Sequence, residues 1–322
     1  MKIVLLTLIL SNRYVSDANR EQNYVQYHSQ ITEAERLVGI EKYNEALTLY
    51  RETFASYDSP FLKDYKIATQ IALHLGEIEL AFDYLQKGIL NGWTMKSINR
   101  YKYLKKLKDY DEWERIKKDY DNLHKQYLST LNSHLASEMK RLFKEDRRQV
   151  FLGLFFFTSK SQDRFAENKY APKSEIRIRR VIEIVNEHGY PGEKLVGSDL
   201  WGWGLLSHHN SISQKYTEQD SLYPSLRPKL LEGVQSGEMS PYYFAIIDEW
   251  YILVKSQRKE TVYGYVDELT SDDLAETNEL RRQLGIRSIE IRNNLIDIEK
   301  KTGMKFSLGP WHNGKITVAN TL

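Results

Sequence analysis

Two adjacent histidines, His208 and His209, have the side chains of this sequence that are best suited to chemistry. An imidazole changes charge near neutral pH, which suits it to general acid–base catalysis and to metal binding. Neighbouring residues of a helix point about 100° apart, so one histidine is expected to face the core and the other the solvent. His208 follows Trp201 and Leu205 at helical spacing. This stripe predicts His208 as the inner imidazole and His209 as the outer one.

Asp248 and Tyr263 are two further side chains with acid–base chemistry in the same half of the chain. Asp248 is expected at the end of a helix, where a carboxylate can orient an imidazole, and Tyr263 can donate a proton or a hydrogen bond. The sequence therefore predicts a hydrolytic site with catalytic residues His208, His209, Asp248 and Tyr263, in which Asp248 is the partner of His208. Each residue also has a structural alternative: a core or helix-terminal imidazole, a carboxylate that caps a turn, and a packed aromatic ring.

The sequence contains no motif that is typical of a metal or cofactor site. The chain contains no cysteine, and its histidines lack the His-x-His and His-Glu-x-x-His spacings, so no metal site is predicted. Gly202 and Gly204 fall within a tryptophan-rich helical pattern rather than in a strand–loop–helix unit. No phosphate-binding loop, and hence no cofactor, is predicted.

The elements that must position the candidate site are predicted to be mainly helical. Helical periodicity recurs through residues 131–322, interrupted by a polar stretch at residues 158–173 that is typical of a loop. At residues 250–266, aromatic and β-branched runs flank a polar segment at residues 256–259. This pattern predicts a small β-hairpin in an otherwise α-rich domain.

The first third of the chain contains an internal repeat. Ala46 is followed by Tyr50 and Ala81 by Leu85, and the two alanines lie 35 positions apart. Two helices cross closely only where one contributes a small side chain, and the large residue one turn later fills the adjacent groove. A period near 34 with this pattern resembles the tetratricopeptide repeat (TPR). The sequence thus predicts TPR-like helical hairpins over residues 19–130, with an ordinary helical bundle as the alternative.

The repeats lead to the first functional hypothesis. Two clear units are fewer than a solenoid needs, so a degenerate third unit at residues 101–120 or the C-terminal domain must cover the exposed end. Stacked helix pairs form a groove suited to extended peptides. A module that binds a protein or peptide, joined to a domain of unknown role, is therefore the leading hypothesis. A hydrolase-like enzyme with a histidine–aspartate pair is the alternative.

A series of short motifs runs through residues 131–302. The motifs are Asp146 with Arg147 and Arg148, Gly189-Tyr190-Pro191, His208-His209, Gly237-Glu238, Ala245 with Asp248, and Tyr263-Gly264. This series resembles an uncharacterised bacterial family, a domain of unknown function. The chain departs from the family pattern at Val262, where glutamine is expected, and at Glu249, where arginine is usual. The resemblance implies no reaction and no catalytic roles.

Composition and the N-terminus limit the remaining possibilities. The length of 322 residues suggests two domains, and the net charge of +2 predicts no nucleic-acid partner. Met1-Lys2, the apolar residues 3–10 and Ser16-Asp17-Ala18 are typical of a secretory signal. Residues 1–18 are therefore a possible signal peptide of an exported protein, periplasmic or extracellular; a buried first element of a cytoplasmic protein is the alternative. No other segment approaches the ~20 apolar residues of an integral membrane helix.

Overall fold

Helices make up nearly all of the regular structure, which confirms the mainly α fold class. The computed structural model describes residues 23–266, 269–309 and 314–319. The possible signal peptide at residues 1–18 lies outside these residues. None of the described helices is long and apolar enough to cross a membrane.

The described helices fall into an N-terminal and a C-terminal series. The first series is α1 (Tyr24–Gly39), α2 (Tyr43–Ser56), α3 (Leu62–Leu75), α4 (Ile78–Leu90), α5 (Met95–Ile98), a 3-10 helix (Lys102–Asp109) and α6 (Asp111–Thr130). The second is α7 (Ser133–Gly153), α8 (Ser159–Phe165), a π-helical turn (Ala166–Tyr170), α9 (Ala171–His188), α10 (Glu193–Val196), α11 (Asp199–Asn210), α12 (Gln214–Gln219), α13 (Leu222–Gln235), α14 (Pro241–Ser256), α15 (Leu274–Gln283) and α16 (Ile289–Thr302).

Helices α1 to α4 pack as two successive pairs, α1 with α2 and α3 with α4. Ala46 and Ala81 are completely buried, as close helix crossings require. Gly76 ends α3 in the left-handed conformation at φ 79°, which a residue without a side chain adopts at little cost. In the expected third unit, α6 packs on α4 through Trp113 and Ile116, but a 3-10 helix replaces the first helix of the pair.

The last part of the chain returns to the N-terminal helices. Residue 130, where a domain boundary is predicted, is the last residue of α6, and α7 begins at Ser133. The core of the N-terminal helices, however, includes Leu295 and Ile298 of α16 together with Met304 and Phe306. Helix α16 packs along α1, and the Gln70 side chain of α3 bonds both backbone groups of Lys305. The inner face of α1 and α3 is therefore covered by the chain's own C-terminal residues.

Buried charges also join the two parts. The Arg287 guanidinium lies 3.0 Å from the Glu35 carboxylate of α1, and both side chains are buried. Lys63 of α3 lies 3.4 Å from Glu35 and 2.7 Å from Asp64, which also accepts a hydrogen bond of 2.7 Å from the Tyr27 hydroxyl. Removing one partner of a buried pair typically costs ~3–5 kcal/mol, because the other charge is left uncompensated. This network fixes the C-terminal part against α1 and α3.

The small β element differs from the predicted hairpin at residues 250–266. It is a parallel pair of two-residue strands, β1 (Leu269–Thr270) and β2 (Val318–Ala319). Residues 250–256 complete helix α14, and residues 257–266 contain no strand. The hairpin prediction was therefore wrong.

Glu249 of α14 explains why no hairpin forms. Its carboxylate accepts hydrogen bonds of 2.7 to 3.0 Å from the backbone N–H groups of Tyr265 and Val266. Those N–H groups are the ones a strand ladder would need. Phe244 and Leu253 of the same helix are buried in the core. Their packing outweighs the β-propensity of the aromatic run on which the hairpin prediction was based.

The stretch predicted as a loop, residues 158–173, is mostly helical. Thr158 and Ser161 cap α8 reciprocally, with each side chain bonded to the other residue's backbone. The π-helical turn then leads into α9, where Pro172 lies in the first turn and its missing N–H costs nothing. The loop prediction was wrong because it was based on the polarity of the stretch, whereas local capping stabilises these helical turns without an apolar stripe.

Replacing Ala81 by leucine should destabilise the N-terminal helices by about 1–3 kcal/mol, the usual cost of overpacking a close helix crossing. Denaturant unfolding measures the change. Ala55→Leu is the matched control, because Ala55 is exposed on α2. An Ala81→Leu variant as stable as Ala55→Leu would show that the helices do not cross at Ala81.

Candidate functional site

The two histidines lie near the end of α11 with the opposite orientation to the predicted one. His209 is completely buried, whereas 33% of the His208 side chain is exposed. The buried face of α11 runs through Gly202, Leu205 and His209, with the Tyr190 ring packed directly over Gly202. The prediction was wrong because it took tryptophan as the mark of the inner face. The glycine at position 202 was the better signal.

His208 forms a pair with Asp146 of α7 rather than with Asp248. The His208 Nδ1 lies 2.5 Å from Asp146 Oδ2, and the carboxylate is fully buried. The same carboxylate accepts hydrogen bonds from the Tyr170 hydroxyl at 2.6 Å and the Arg177 guanidinium at 3.0 Å. This contact uses Nδ1, so Nε2 is the ring nitrogen that is left for other contacts. Asp146 belongs to the first motif of the resemblance, and this motif was the one feature of the sequence that could have indicated Asp146 as a candidate site residue.

His209 joins a separate buried group. Its Nδ1 lies 3.0 Å from the Ser174 hydroxyl, and its Nε2 makes a longer contact of 3.4 Å with Asp220. Burial raises the pKa of Asp220. The contact with His209 and the hydrogen bonds that Asp220 accepts from the backbone N–H groups of Leu222 and Tyr223 outweigh this effect and hold the pKa below its ordinary value. The residue types are those of a catalytic triad, but Ser174 is 1% exposed. A nucleophile that substrate cannot reach has no catalytic use, so this group stabilises the core.

Asp248 and Tyr263 do meet, but without a histidine. The buried Asp248 carboxylate accepts a two-pronged bond from Arg227 at 2.7 and 2.8 Å, and hydrogen bonds from Tyr223 at 2.8 Å and Tyr263 at 3.2 Å. Burial and the Asp248 charge raise the pKa of Tyr263, so this phenol is a hydrogen-bond donor rather than an acid. The four predicted residues therefore divide among three polar groups, and the predicted His208–Asp248 pair does not form.

A cavity that the sequence analysis did not anticipate lies where α3 meets the C-terminal part. We call it the seam cavity. It has a volume of about 180 Å³, and its walls include Lys66, Glu193, Asp199, Tyr242, Tyr243 and Tyr265. These residues come from α3, α10, α11, α14 and the segment after α14. Only the folded chain brings them together, so sequence spacing carries no signal for them.

Glu193 and Asp199 form an interacting carboxyl pair in the wall of the seam cavity. Glu193 Oε1 accepts the N–H of Leu62 at the start of α3, and Asp199 Oδ1 accepts the N–H of Glu193, both at 3.1 Å. Burial raises the pKa of Glu193, and the Leu62 N–H and the nearby lysines Lys66 and Lys194 oppose this only in part. Burial and then the charge of Glu193 raise the pKa of Asp199 well above its ordinary value. Both side chains are partly exposed, and the raised pKa values are those expected of two poorly solvated carboxyls that interact with each other.

Two other groups in the cavity wall are available to a ligand. Burial lowers the pKa of Lys66 while Glu193 opposes the shift, and its ammonium group has no hydrogen-bond or ion-pair partner among the described residues. The Tyr265 hydroxyl is buried and likewise unpartnered within the described part of the chain. Lys63, by contrast, is held by Asp64 and Glu35. The cavity wall thus contains a lysine whose ammonium, among the described residues, contacts only the Trp93 ring, an unpartnered hydroxyl and a carboxyl pair with raised pKa values.

A larger groove of about 700 Å³ lies between α7 and α9. Its charged residues largely pair with each other, as in Arg180–Glu138 and Arg141–Glu145, both at 2.8 Å. Among the described residues, no group of three or more His, Asp or Glu side chains is arranged to hold a metal ion. The seam cavity is therefore the candidate functional site.

Replacing His209 by alanine should destabilise the protein by about 1–3 kcal/mol, because Ser174 and Asp220 lose a buried partner. His208→Ala should cost less, since that ring is half-exposed and Asp146 keeps two other donors. Denaturant unfolding compares the variants, with His188→Ala, at an exposed helix end, as control. A larger loss for His208→Ala would contradict the assignment of the inner face.

In comparisons with known proteins, no family model, curated protein or solved structure matches this chain. The resemblance to an uncharacterised bacterial family and to the tetratricopeptide repeat stays a prediction from sequence motifs.

Proposed function

We propose that this chain is a hydrolytic enzyme that acts on a small polar molecule in the seam cavity. The observation that carries the proposal is the pair of Glu193 and Asp199, two interacting carboxyls with raised pKa values in the wall of the seam cavity. Titratable groups with strongly perturbed pKa values inside a cavity are a physical signature of functional sites. This follows the alternative hypothesis from the sequence, a hydrolase-like enzyme, but assigns the chemistry to residues other than the predicted ones.

The two carboxyls divide the acid and base roles. The ionised member of the pair accepts a proton from a water molecule, whose oxygen then forms the new bond to the substrate. The protonated member donates its proton to the leaving group, so charge is balanced at each step. Both pKa values are raised, so either carboxyl can hold the proton, and the two variants described below decide which one is the acid.

Lys66 and Tyr265 bind and orient the substrate. A lysine ammonium without a hydrogen-bond or ion-pair partner suits a carboxylate or a polarised carbonyl oxygen, and the Tyr265 hydroxyl supplies a neutral hydrogen bond. An apolar cavity of ~150 Å³ accommodates benzene, so the seam cavity of about 180 Å³ fits a molecule only slightly larger. Small amides and esters with a polar substituent match this size and these groups.

The His208–Asp146 pair supports a second candidate site. A buried aspartate that holds one imidazole nitrogen while the other remains accessible is the arrangement of a general base. Tyr170 extends from a π-helical turn to the same aspartate, and such turns are frequent at functional sites. No enclosed cavity among those described is lined by His208, so this pair ranks second.

Binding of a protein or peptide by the TPR-like repeats remains a further proposal. The inner face of α1 and α3 packs against α16 and the residues that follow it, so a peptide would have to use the side formed by α2 and α4. Export of the protein is likewise a proposal, and it rests on the signal-like residues 1–18.

The hydrolytic function is tested with a panel of small amides and esters, each followed by NMR in the presence of the full chain. Glu193→Gln and Asp199→Asn should each lower the rate of any hydrolysed member by about 10²–10⁴-fold, the usual contribution of an acid or base. Glu187→Gln, an exposed carboxylate on α9, should leave the rate unchanged. Full activity in both carboxyl variants, or no hydrolysis by the unaltered chain, would contradict the proposal.

A measurement of the free energy of unfolding distinguishes a catalytic from a structural role of the Glu193–Asp199 pair. Folding raises the pKa of Asp199, so the folded chain binds the proton more tightly than the unfolded chain. The free energy of unfolding therefore falls as pH rises above the unfolded pKa of about 4. Asp199→Asn removes this loss and should be at least as stable as the unaltered chain at neutral pH. A marked loss of stability would assign Asp199 to structure.

A further inference from the structure

The exposed apolar residues of this protein are concentrated at one corner. Six of the eleven large hydrophobic side chains that are exposed among the described residues lie within residues 151–157, at the end of α7. The most extreme is Phe157, which is 91% exposed. Monomeric soluble proteins seldom leave such a cluster uncovered without an interaction that uses it. We call residues 151–157 the aromatic corner.

The aromatic corner is an ordered surface rather than a loose loop. Phe151 packs edge-on against Phe155 with ring centres 5.4 Å apart, and Phe156 stacks on Phe165 of α8 at 4.8 Å. The reciprocal cap between Thr158 and Ser161 fixes the chain direction immediately after the corner. The rings therefore project from a fixed turn between α7 and α8.

Several basic residues flank the corner in sequence and lack an ion-pair partner. Lys144, Arg147, Arg148, Lys160, Arg164 and Lys169 are exposed and form no ion pair with any described residue. Elsewhere on the surface many basic residues are paired, as in Arg36–Glu33 and Lys229–Glu232.

The acidic residues near the corner leave this positive charge largely uncompensated. Glu145 and Glu167 already pair with Arg141 and Lys215. Among the described residues from 144 to 169, Asp163 is the only carboxylate without an ion pair. The corner is therefore apolar at its tip and positive around its rim.

We propose that the aromatic corner and its basic rim dock on the surface of an anionic lipid bilayer. Exposed phenylalanine and leucine side chains insert at the boundary between head groups and acyl chains, while lysine and arginine contact anionic head groups. This complementarity favours a lipid surface over a second copy of the chain, because two such corners would bring like charges together. Docking of this kind needs no helix that crosses the membrane, and it does not depend on the seam cavity.

The test is co-sedimentation of the full chain with vesicles at physiological salt. One set contains phosphatidylcholine alone, and in the other about a third of the lipid is phosphatidylserine, which supplies the negative surface potential. The chain should bind the phosphatidylserine vesicles, and added salt should weaken the binding because it screens the charges. No binding, or equal binding to both sets, would overturn the proposal.

Matched variants assign the binding to the corner. Phe155→Ser/Phe157→Ser should weaken binding at least roughly tenfold, from the apolar area lost. Lys144→Gln/Arg147→Gln/Arg148→Gln should weaken it roughly a hundredfold, at about fivefold for each charge. Lys102→Gln/Lys105→Gln, which removes exposed charge on the 3-10 helix, should have little effect. Binding that survives both corner variants would overturn the proposal.

Two further outcomes identify a different occupant. Leu5→Ser/Leu6→Ser changes the apolar run near the N-terminus, and loss of vesicle binding in this variant alone would transfer the lipid contact to that segment. Sedimentation velocity without lipid tests the second copy. Dimers that Phe155→Ser/Phe157→Ser abolishes, with no vesicle binding, would show that the corner joins two chains. Retained binding in the N-terminal variant and a monomer in solution support the lipid surface.

Discussion

The buried ion pair between Glu35 and Arg287 is the interaction on which the rest of the structure depends. Burial lowers the pKa of Arg287, but Glu35 and the Tyr242 hydroxyl more than compensate, so the guanidinium stays charged. In the same way, Asp64 and Glu35 outweigh the effect of burial and raise the pKa of Lys63. Charges removed from water are tolerated only while every partner is in place. The network therefore permits one docking arrangement between the N-terminal helices and the residues that return to cover them.

The seam cavity is a direct consequence of that docking. Lys63 and Tyr242 belong both to the ion network and to the cavity wall, and Glu193 accepts the first N–H of α3 across the same seam. The burial that raises the pKa of the carboxyl pair thus exists only when the two parts are in contact. Structure and proposed chemistry therefore share the same residues.

Local patterns predicted the local features of this fold. Helical periodicity gave the mainly α class, and the small residues Ala46 and Ala81 were correctly placed at buried positions, because one helix face or one crossing is encoded within a few turns. The hairpin failed because Glu249 takes the backbone N–H groups of a segment 16 and 17 residues away. His208 was paired with the wrong aspartate because its partner, Asp146, lies 62 positions earlier on another helix. The residues that line the seam cavity come from elements between α3 and the segment after α14. A short-range pattern in the sequence cannot predict that residues so far apart along the chain lie together.

The central claim is that folding places two interacting carboxyls with raised pKa values in the seam cavity. A titration of the Asp199 side-chain carboxyl by ¹³C NMR, in the full chain and in Glu193→Gln, tests it most directly. We expect Asp199 to titrate well above the ordinary aspartate pKa of about 3.9, and we expect Glu193→Gln to lower this pKa because a neighbouring negative charge is removed. An Asp199 that titrates at or below the ordinary value, or that does not respond to Glu193→Gln, would contradict it.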